Sequence, residues 1–196
     1  MALCVTSTRL QEIAGIVLIA AGLVFAGYGY YLPAKAALAR LLVARAWEAA
    51  PGDGPAPRPW PWADTRPVAR IGMPKRDVSV LVLAGGHGPA LPYGAALVDG
   101  TATPGGPGHS VIAASRERQF AFLRHIRIGD PIEVERPGGV KVAYVVVEKK
   151  ILDVRKQKIE IEPAADFLTL VTCYPFSDWN PKGPFRYVVT AVADPA

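Results

Sequence analysis

Short apolar runs rich in β-branched residues, separated by turns that contain Gly or Pro, fill the chain from residue 65 to its end. Runs of this length at this spacing predict an all-β domain, either a barrel or a sandwich. The predicted strands cover residues 68–73, 78–84, 110–114, 132–136, 140–151, 167–172 and 185–192. Between these strands, residues 91–98 and 120–126 predict short helical turns.

An uncharged apolar segment of 22 residues, 13–34, lies near the N-terminus. This length is sufficient for a helix to cross a bilayer, and tyrosines cluster at its end, as at a membrane interface. A secretory signal peptide is the alternative, with the Ala-Lys-Ala sequence at residues 34–36 as its cleavage site. The apolar core of a signal peptide is shorter, about 7–15 residues. The length therefore favours a retained membrane anchor.

Two segments connect the predicted anchor to the β-domain. Residues 34–50 have apolar positions at helical spacing with basic residues between them, which predicts a short amphipathic helix continuing from the anchor. Residues 51–66 are rich in Pro and Gly and predict an irregular linker. Trp60 and Trp62 in this linker are expected to pack on the domain because they are large and apolar. The predicted division is an anchor over 1–34, a helix and linker over 35–64 and a β-domain over 65–196.

Composition narrows the classes of function. The net charge is +5 and the basic residues are scattered rather than striped, so no nucleic-acid partner is expected. The chain has two cysteines, Cys4 and Cys173, which excludes a disulfide framework and a cysteine-rich zinc site. Carboxylates are dispersed along the predicted strands and no phosphate-binding glycine loop is present. We therefore expect neither a metal nor a cofactor.

The candidate chemistry lies at the end of the strand predicted over residues 167–172. Cys173 follows this strand directly, where the chain leaves the sheet, and such a position can present a nucleophile. Arg186 follows 13 residues later, near the start of the next predicted strand. If the two strands pair, the guanidinium lies close to the sulfur, where it would stabilise a thiolate and a developing oxyanion. The alternative is a small buried Cys173 and a solvated Arg186.

The sequence TLVTC at residues 169–173, followed by the arginine-bearing strand, resembles the signature of the sortases. The strings PWPWAD and PVARI, within residues 59–71, resemble the domain entry of the Gram-negative-type (class GN) sortases. The resemblance implies an eight-stranded sortase-type β-barrel with short helices. It also implies a cysteine transpeptidase, in which Cys173 attacks a C-terminal LPXTG-like sorting signal, forms a thioester and passes the acyl group to an amine while Arg186 steadies the oxyanion.

A histidine is missing from the position that the resemblance implies for the general acid. The family segment PGxPGNxVIAGHRDxxFxFL aligns with PGGPGHSVIAASRERQFAFL at residues 104–123, so Ser115 occupies the histidine position. Ser115 and Thr172 are then expected to contribute to substrate binding. His109 is the less favoured general acid, because along a strand it lies about 20 Å from residue 115 at ~3.3 Å per residue. The other histidines, which are more typical of surface positions, are His87 and His125.

Two functions follow from the resemblance. The first is a membrane-anchored transpeptidase, and the second is a degenerate sortase that binds sorting-signal peptides with little or no turnover. The implied partners are a substrate protein with the sorting signal, an amine acceptor and the membrane. The basic residues that flank the anchor favour a cytoplasmic β-domain. The resemblance implies the opposite orientation, a single-pass protein of the cytoplasmic membrane with its domain facing the periplasm or the cell exterior.

Overall fold

The computed structural model describes residues 3–52, 54–74, 76–85, 94–177 and 183–194. The chain divides into two compact units, Met1–Ala39 and Arg40–Ala196. The first helix, α1, extends over Leu3–Glu48 and contains Pro33. Its segment Gly15–Glu48 includes an apolar stretch long enough to cross a membrane, which makes it a candidate membrane span. The predicted anchor and the predicted amphipathic helix are therefore parts of one continuous helix.

The last turns of α1 pack on the β-domain within the second unit. Val43 is 1% exposed and packs with Leu83 and Trp60. One turn later Trp47 is 6% exposed, and the guanidinium of Arg70 lies 5.1 Å from the centre of its ring. Residues four apart share one face of a helix, so Val43 and Trp47 form the stripe that the helix buries.

Eight strands close into a barrel in the second unit. They are β1 Arg66–Met73, β2 Val78–Ala84, β3 Ala95–Leu97, β4 Ser110–Ala113, β5 Pro131–Glu135, β6 Lys141–Asp153, β7 Phe167–Cys173 and β8 Phe185–Ala193. Their order around the barrel is β1-β2-β3-β4-β7-β8-β6-β5. The β2–β3 and β4–β7 pairs are parallel and the other pairs are antiparallel. This architecture, with a short 3₁₀ helix over Ala121–His125, confirms the predicted eight-stranded barrel.

Two local predictions are wrong. The helical turn predicted over 91–98 is the strand β3 in its described part, because Ala95 and Ala96 pair with β2 in parallel and Ala96 also pairs with β4. Pairing on both sides satisfies the backbone of this short segment and outweighs its local helix propensity. Residues 91–93 lie outside the described residues. Trp60 packs on the domain as expected, but Trp62 is 79% exposed.

Apolar side chains are buried on both faces of the wall formed by β4, β7, β8 and β6. Leu168, Leu170 and Val189 belong to the cluster that fills the barrel interior. On the outer face a second cluster contains Val111, Leu152, Val171 and Val188, and Ile159 from the β6–β7 connection packs against it. Burial of each such side chain stabilises the fold by ~1.5–3 kcal/mol. The β6–β7 connection therefore covers part of the outer face of this wall.

His109, just before β4, holds the far end of that connection. Its side chain is 4% exposed, and Nδ1 accepts a hydrogen bond of 3.1 Å from the backbone N–H of Glu162. Because a backbone N–H can only donate, Nδ1 carries no proton, and Nε2–H donates to Thr169 Oγ1 at 2.8 Å. The ring also packs edge-on against Phe167. Burial lowers the pKa of His109 below its usual 6.5 and outweighs the Glu162 carboxylate, which raises it. The imidazole is thus a neutral structural link.

Substitution of His109 by Gln is expected to remove a pH dependence of stability. The unfolded chain binds more protons than the folded chain between the lowered pKa and 6.5. The stabilisation by His109 is therefore complete above about pH 6.5 and is lost as the pH falls through the lowered value. Urea unfolding of the full chain in detergent micelles should show His109→Gln to be less stable by about 1–3 kcal/mol at neutral pH.

The same unfolding series also separates His109 from a general effect of acid. The matched control is His125→Gln, because His125 is exposed at the end of the 3₁₀ helix. This control should keep the loss of stability that the unmodified chain shows between neutral and mildly acidic pH, and His109→Gln should show a smaller loss. An equal loss in all three proteins would contradict the neutral, buried state of His109.

Candidate active site

Cys173 is the last residue of β7 and lies directly opposite Arg186 in the antiparallel β7–β8 pair. Side chains directly opposite each other on neighbouring strands lie on the same face, with Cβ atoms about 4.5–5.5 Å apart. Cys173 is half-buried and forms no disulfide among the described residues. The structure therefore brings together the two side chains that the sequence singled out.

Both side chains lie on the outer face of the barrel wall. Successive residues of a strand alternate between faces, and Val171 and Val188 belong to the outer cluster. Cys173 is two residues after Val171 and Arg186 is two residues before Val188, so they extend that face beyond its apolar cluster. On the other side of β8, Leu152 lies opposite Arg186. A polar pair thus continues an apolar strip at the rim of the barrel.

The guanidinium of Arg186 is held by the chain that leads into β8. Its Nη1 donates to the carbonyl oxygen of Gly183 at 2.6 Å and to that of Phe185 at 2.9 Å. A guanidinium has five N–H donors in a planar fork, and these two bonds to the described residues use only Nη1. Arg186 can therefore be fixed by its own loop and still present N–H groups to an anionic oxygen.

Ser115 follows the end of β4, the parallel partner of β7, by two residues. The β4–β7 register pairs Ala113 with Val171, and the ladder continues as the Ala114 N–H donates to Val171 O at 3.1 Å. Continued two residues beyond Ala113, the same register would bring position 115 next to position 173. Ser115 is half-buried and its Oγ accepts a 3.3 Å hydrogen bond from the N–H of Glu117. Arg186 thus lies opposite Cys173 on β8, and the continued β4–β7 ladder would put the Ser115 hydroxyl on the other side of the sulfur.

The side chain of Thr172 is buried in the barrel wall, where it makes a structural hydrogen bond. Its side chain is 2% exposed, and its hydroxyl donates to the carbonyl oxygen of Ala114 at 2.8 Å. This bond joins β7 to the end of β4 one residue before Ser115 and Cys173. The hydroxyl thus helps to keep the two strands in register at the rim.

The three histidines differ in position. His109 precedes β4 at the end of this strand opposite to Ser115, and both of its ring nitrogens are bonded within the fold. The strand geometry separates positions 109 and 115 by about 20 Å. His125 is exposed, and its backbone oxygen accepts a 2.7 Å hydrogen bond from Arg76. His87 lies outside the described residues.

Two arginines that the sequence analysis missed hold the chain directly after Cys173. Arg116 is 4% exposed, and its Nη1 donates to the carbonyl oxygen of Pro175 at 2.7 Å. Arg124 donates from Nη2 to the carbonyl oxygen of Phe176 at 3.1 Å and lies 5.5 Å from the centre of that ring. Charged donors make the stronger kind of hydrogen bond, so this pair positions the start of the β7–β8 connection.

The first residues of the β7–β8 connection are also packed by aromatic contacts. Tyr174 stacks on Tyr187 with ring centres 6.3 Å apart, and Phe176 contacts the same ring edge-on at 5.3 Å. Burial raises the pKa of Tyr187, with a smaller contribution from Tyr174. Aromatic and arginine contacts together give Cys173 a fixed backbone on its C-terminal side.

Comparison with known proteins agrees with this arrangement. Residues 71–194 match the family model of the sortase domain. No curated protein sequence matches the chain.

Several solved structures are similar to the chain. Sortase C-1 from Actinomyces oris is 28% identical, with a TM-score of 0.55, and the match covers 66% of this chain and 76% of that one. Sortase C1 of Streptococcus agalactiae is 25% identical, with a TM-score of 0.58 over 66% of this chain and 68% of its own. Sortase A from Corynebacterium diphtheriae is 25% identical, with a TM-score of 0.59 over 69% and 64%. The chain therefore belongs to the sortase family and has the fold of its cysteine transpeptidases.

Proposed function

We propose that this protein is a membrane-anchored sortase of the Gram-negative type that cleaves an LPXTG-like C-terminal sorting signal and transfers it to an amine. The observation that carries the proposal is the register of Cys173 opposite Arg186 at the rim of the barrel. A thiolate nucleophile beside a fixed guanidinium has the two groups that acyl transfer from a peptide needs at its first step. Family membership supports the same class of reaction.

The proposed reaction has two steps that share Cys173. In the first step the sulfur attacks the carbonyl carbon of the signal's threonine, and Arg186 stabilises the oxyanion of the tetrahedral intermediate. The C–N bond then breaks, the leaving amine takes a proton from water, and a thioester to Cys173 remains. In the second step an acceptor amine attacks the thioester, gives up a proton to water and releases the sulfur. The products are a new amide and the free enzyme.

We propose that Ser115 stands at the position where related sequences have the catalytic histidine. The β4–β7 register supports this alignment, because its continuation past Ala113 and Val171 would bring position 115 alongside position 173. A hydroxyl does not exchange protons readily at neutral pH, so Ser115 can bind substrate or orient water but cannot protonate the leaving amine as imidazole does. Loss of a general acid typically lowers the rate by ~10²–10⁴. We therefore propose a slow transpeptidase.

A degenerate sortase that binds sorting signals with little or no turnover is the second candidate function. Ser115 favours this candidate, because a site without an imidazole can bind the peptide even if it cannot protonate the leaving amine. In such a binding groove Cys173 and Arg186 would serve only as polar contacts. The two functions differ in whether a covalent bond to Cys173 forms. They share the same peptide and the same rim of the barrel.

The cellular arrangement follows from the anchor. We propose that residues 1–34 form a single-pass anchor in the cytoplasmic membrane, that residues 35–64 connect it to the barrel, and that residues 65–196 work in the periplasm or outside the cell. The exposed apolar side chains of the candidate span support a lipid environment for it, since large exposed apolar surfaces seldom face water. The partners are then a protein with the sorting signal and an amine acceptor.

Thioester formation on Cys173 is the first test. The full chain in detergent micelles, incubated with an LPXTG-like peptide at neutral and alkaline pH, should gain the mass of the acyl fragment on the peptide that contains Cys173. Cys173→Ala should gain no mass and should still bind the peptide, and Cys4→Ala should react like the unmodified chain. Binding without an adduct would support the degenerate sortase, and absence of both binding and adduct would refute both functions.

Restoring an imidazole is the second test. Ser115→His is expected to raise the rate of peptide cleavage by ~10²–10⁴, because it supplies the missing acid next to the sulfur. Glu117→His is the matched control, since residue 117 is exposed and two positions further along the chain. This control should leave the rate unchanged. An unchanged rate in Ser115→His, with intact folding by circular dichroism, would contradict the proposed role of position 115.

A further inference from the structure

We propose that a basic pocket on the barrel binds a phosphate-bearing anion, either a free phosphate compound or the headgroup of an anionic lipid. The pocket has a volume of about 530 Å³ and lies outside the Cys173 site. Three separate parts of the chain form it: the β1–β2 turn, the 3₁₀ helix with the residues after it, and β6. Its lining residues are Arg76, Arg124, His125, Ile126, Arg127 and Lys149.

Two of the cationic groups are held at neighbouring points of the pocket wall. Arg76 Nη2 donates to the carbonyl oxygen of His125 at 2.7 Å, and Lys149 Nζ donates to the carbonyl oxygen of Ile126 at 3.0 Å. Neutral carbonyl groups orient the two heads without cancelling their charge. A solvated basic surface would leave such long side chains mobile, whereas these are oriented before any ligand arrives.

The charge balance of the pocket is strongly positive. Asp130 is the carboxylate that approaches it, 3.8 Å from Arg76 Nη2, and it also accepts the backbone N–H of Arg127 at 2.9 Å. Four permanent cations therefore share one nearby carboxylate among the described residues. Elsewhere on β6, basic residues pair at closer range, as Lys150 does with Glu148 at 3.0 Å. The unbalanced charge here favours an anionic ligand.

A phosphate group fits this donor set better than a carboxylate does. Guanidinium groups match the oxygen spacing of phosphate in a bidentate manner, and the ammonium group of lysine adds a compact charge. A phosphate offers three or more acceptor oxygens, which can be shared among donors contributed by the β1–β2 turn, the 3₁₀ helix and β6. The cavity is also large enough for a small ligand. Both possible sources of the anion carry the same phosphate chemistry.

Binding is tested with inorganic pyrophosphate and the full chain in nonionic detergent micelles. The variant Arg127→Gln/Lys149→Gln removes two charges from the lining and spares Arg124, which also holds the chain after Cys173. The matched control is Lys150→Gln/Arg155→Gln, because both residues are exposed, belong to other ion pairs and do not line the pocket. Titration calorimetry at low ionic strength should show binding by the unmodified chain and the control, and at least tenfold weaker binding by the pocket variant.

The lipid arm uses the same titration in micelles that contain a small fraction of phosphatidylglycerol, phosphatidylcholine or oleate. Competition with pyrophosphate by phosphatidylglycerol alone would identify a lipid headgroup as the ligand, and oleate controls for charge without phosphate. Pyrophosphate binding that no lipid affects would identify a soluble phosphate compound. No binding by the unmodified chain, or equal binding by the folded pocket variant, would overturn the proposal. The result does not depend on turnover, so it is independent of the proposed function.

Discussion

The pairing of β7 on both sides is the constraint on which the candidate site depends. β7 runs parallel to β4 up to the pair of Ala113 with Val171, and antiparallel to β8 up to the pair of Cys173 with Arg186. Arg186 is therefore one neighbour of Cys173, and continuation of the β4–β7 ladder would make Ser115 the other. A shift of either register by one residue would turn the partner to the opposite face of the barrel. The Thr172 hydroxyl bonded to the Ala114 oxygen opposes such a shift at the rim.

Polar contacts, and not apolar packing alone, hold the two chain segments that flank β7, the β6–β7 connection before it and the start of the β7–β8 connection after it. At the start of β7, neutral His109 links the β6–β7 connection to Thr169. After the end of β7, Arg116 and Arg124 hold successive carbonyl oxygens of the chain. His109 and Arg116 are buried, and buried polar groups are costly when unpaired, so these two links favour the correct fold. The chain on both sides of β7 is therefore held by polar contacts, and Ile159 of the β6–β7 connection covers part of the outer face.

Most of the strands could be predicted from the local pattern of apolar residues. The features that could not be predicted depend on contacts between residues far apart in the sequence. The β-branched runs that became β7 and β8 were recognisable, and their order made the opposition of Cys173 and Arg186 predictable. The strand β3 was not, because its conformation comes from its neighbours and not from Ala95 or Ala96. Arg116 gives no local signal either, since its partner, Pro175, is 59 residues away. The basic residues of the pocket look scattered along the sequence because three separate segments bring them together.

Cross-linking across the β4–β7 pair measures the central claim directly. Adjacent strands lie ~4.8 Å apart, within the Cα separation of about 4.4–6.8 Å that a disulfide spans. In Ser115→Cys, mild oxidation followed by peptide mass spectrometry should detect a disulfide between positions 115 and 173, while Glu117→Cys should form none with position 173. A 115–173 disulfide is the result expected if these side chains are neighbours. Its absence from folded Ser115→Cys, or an equal yield from Glu117→Cys, would contradict the account.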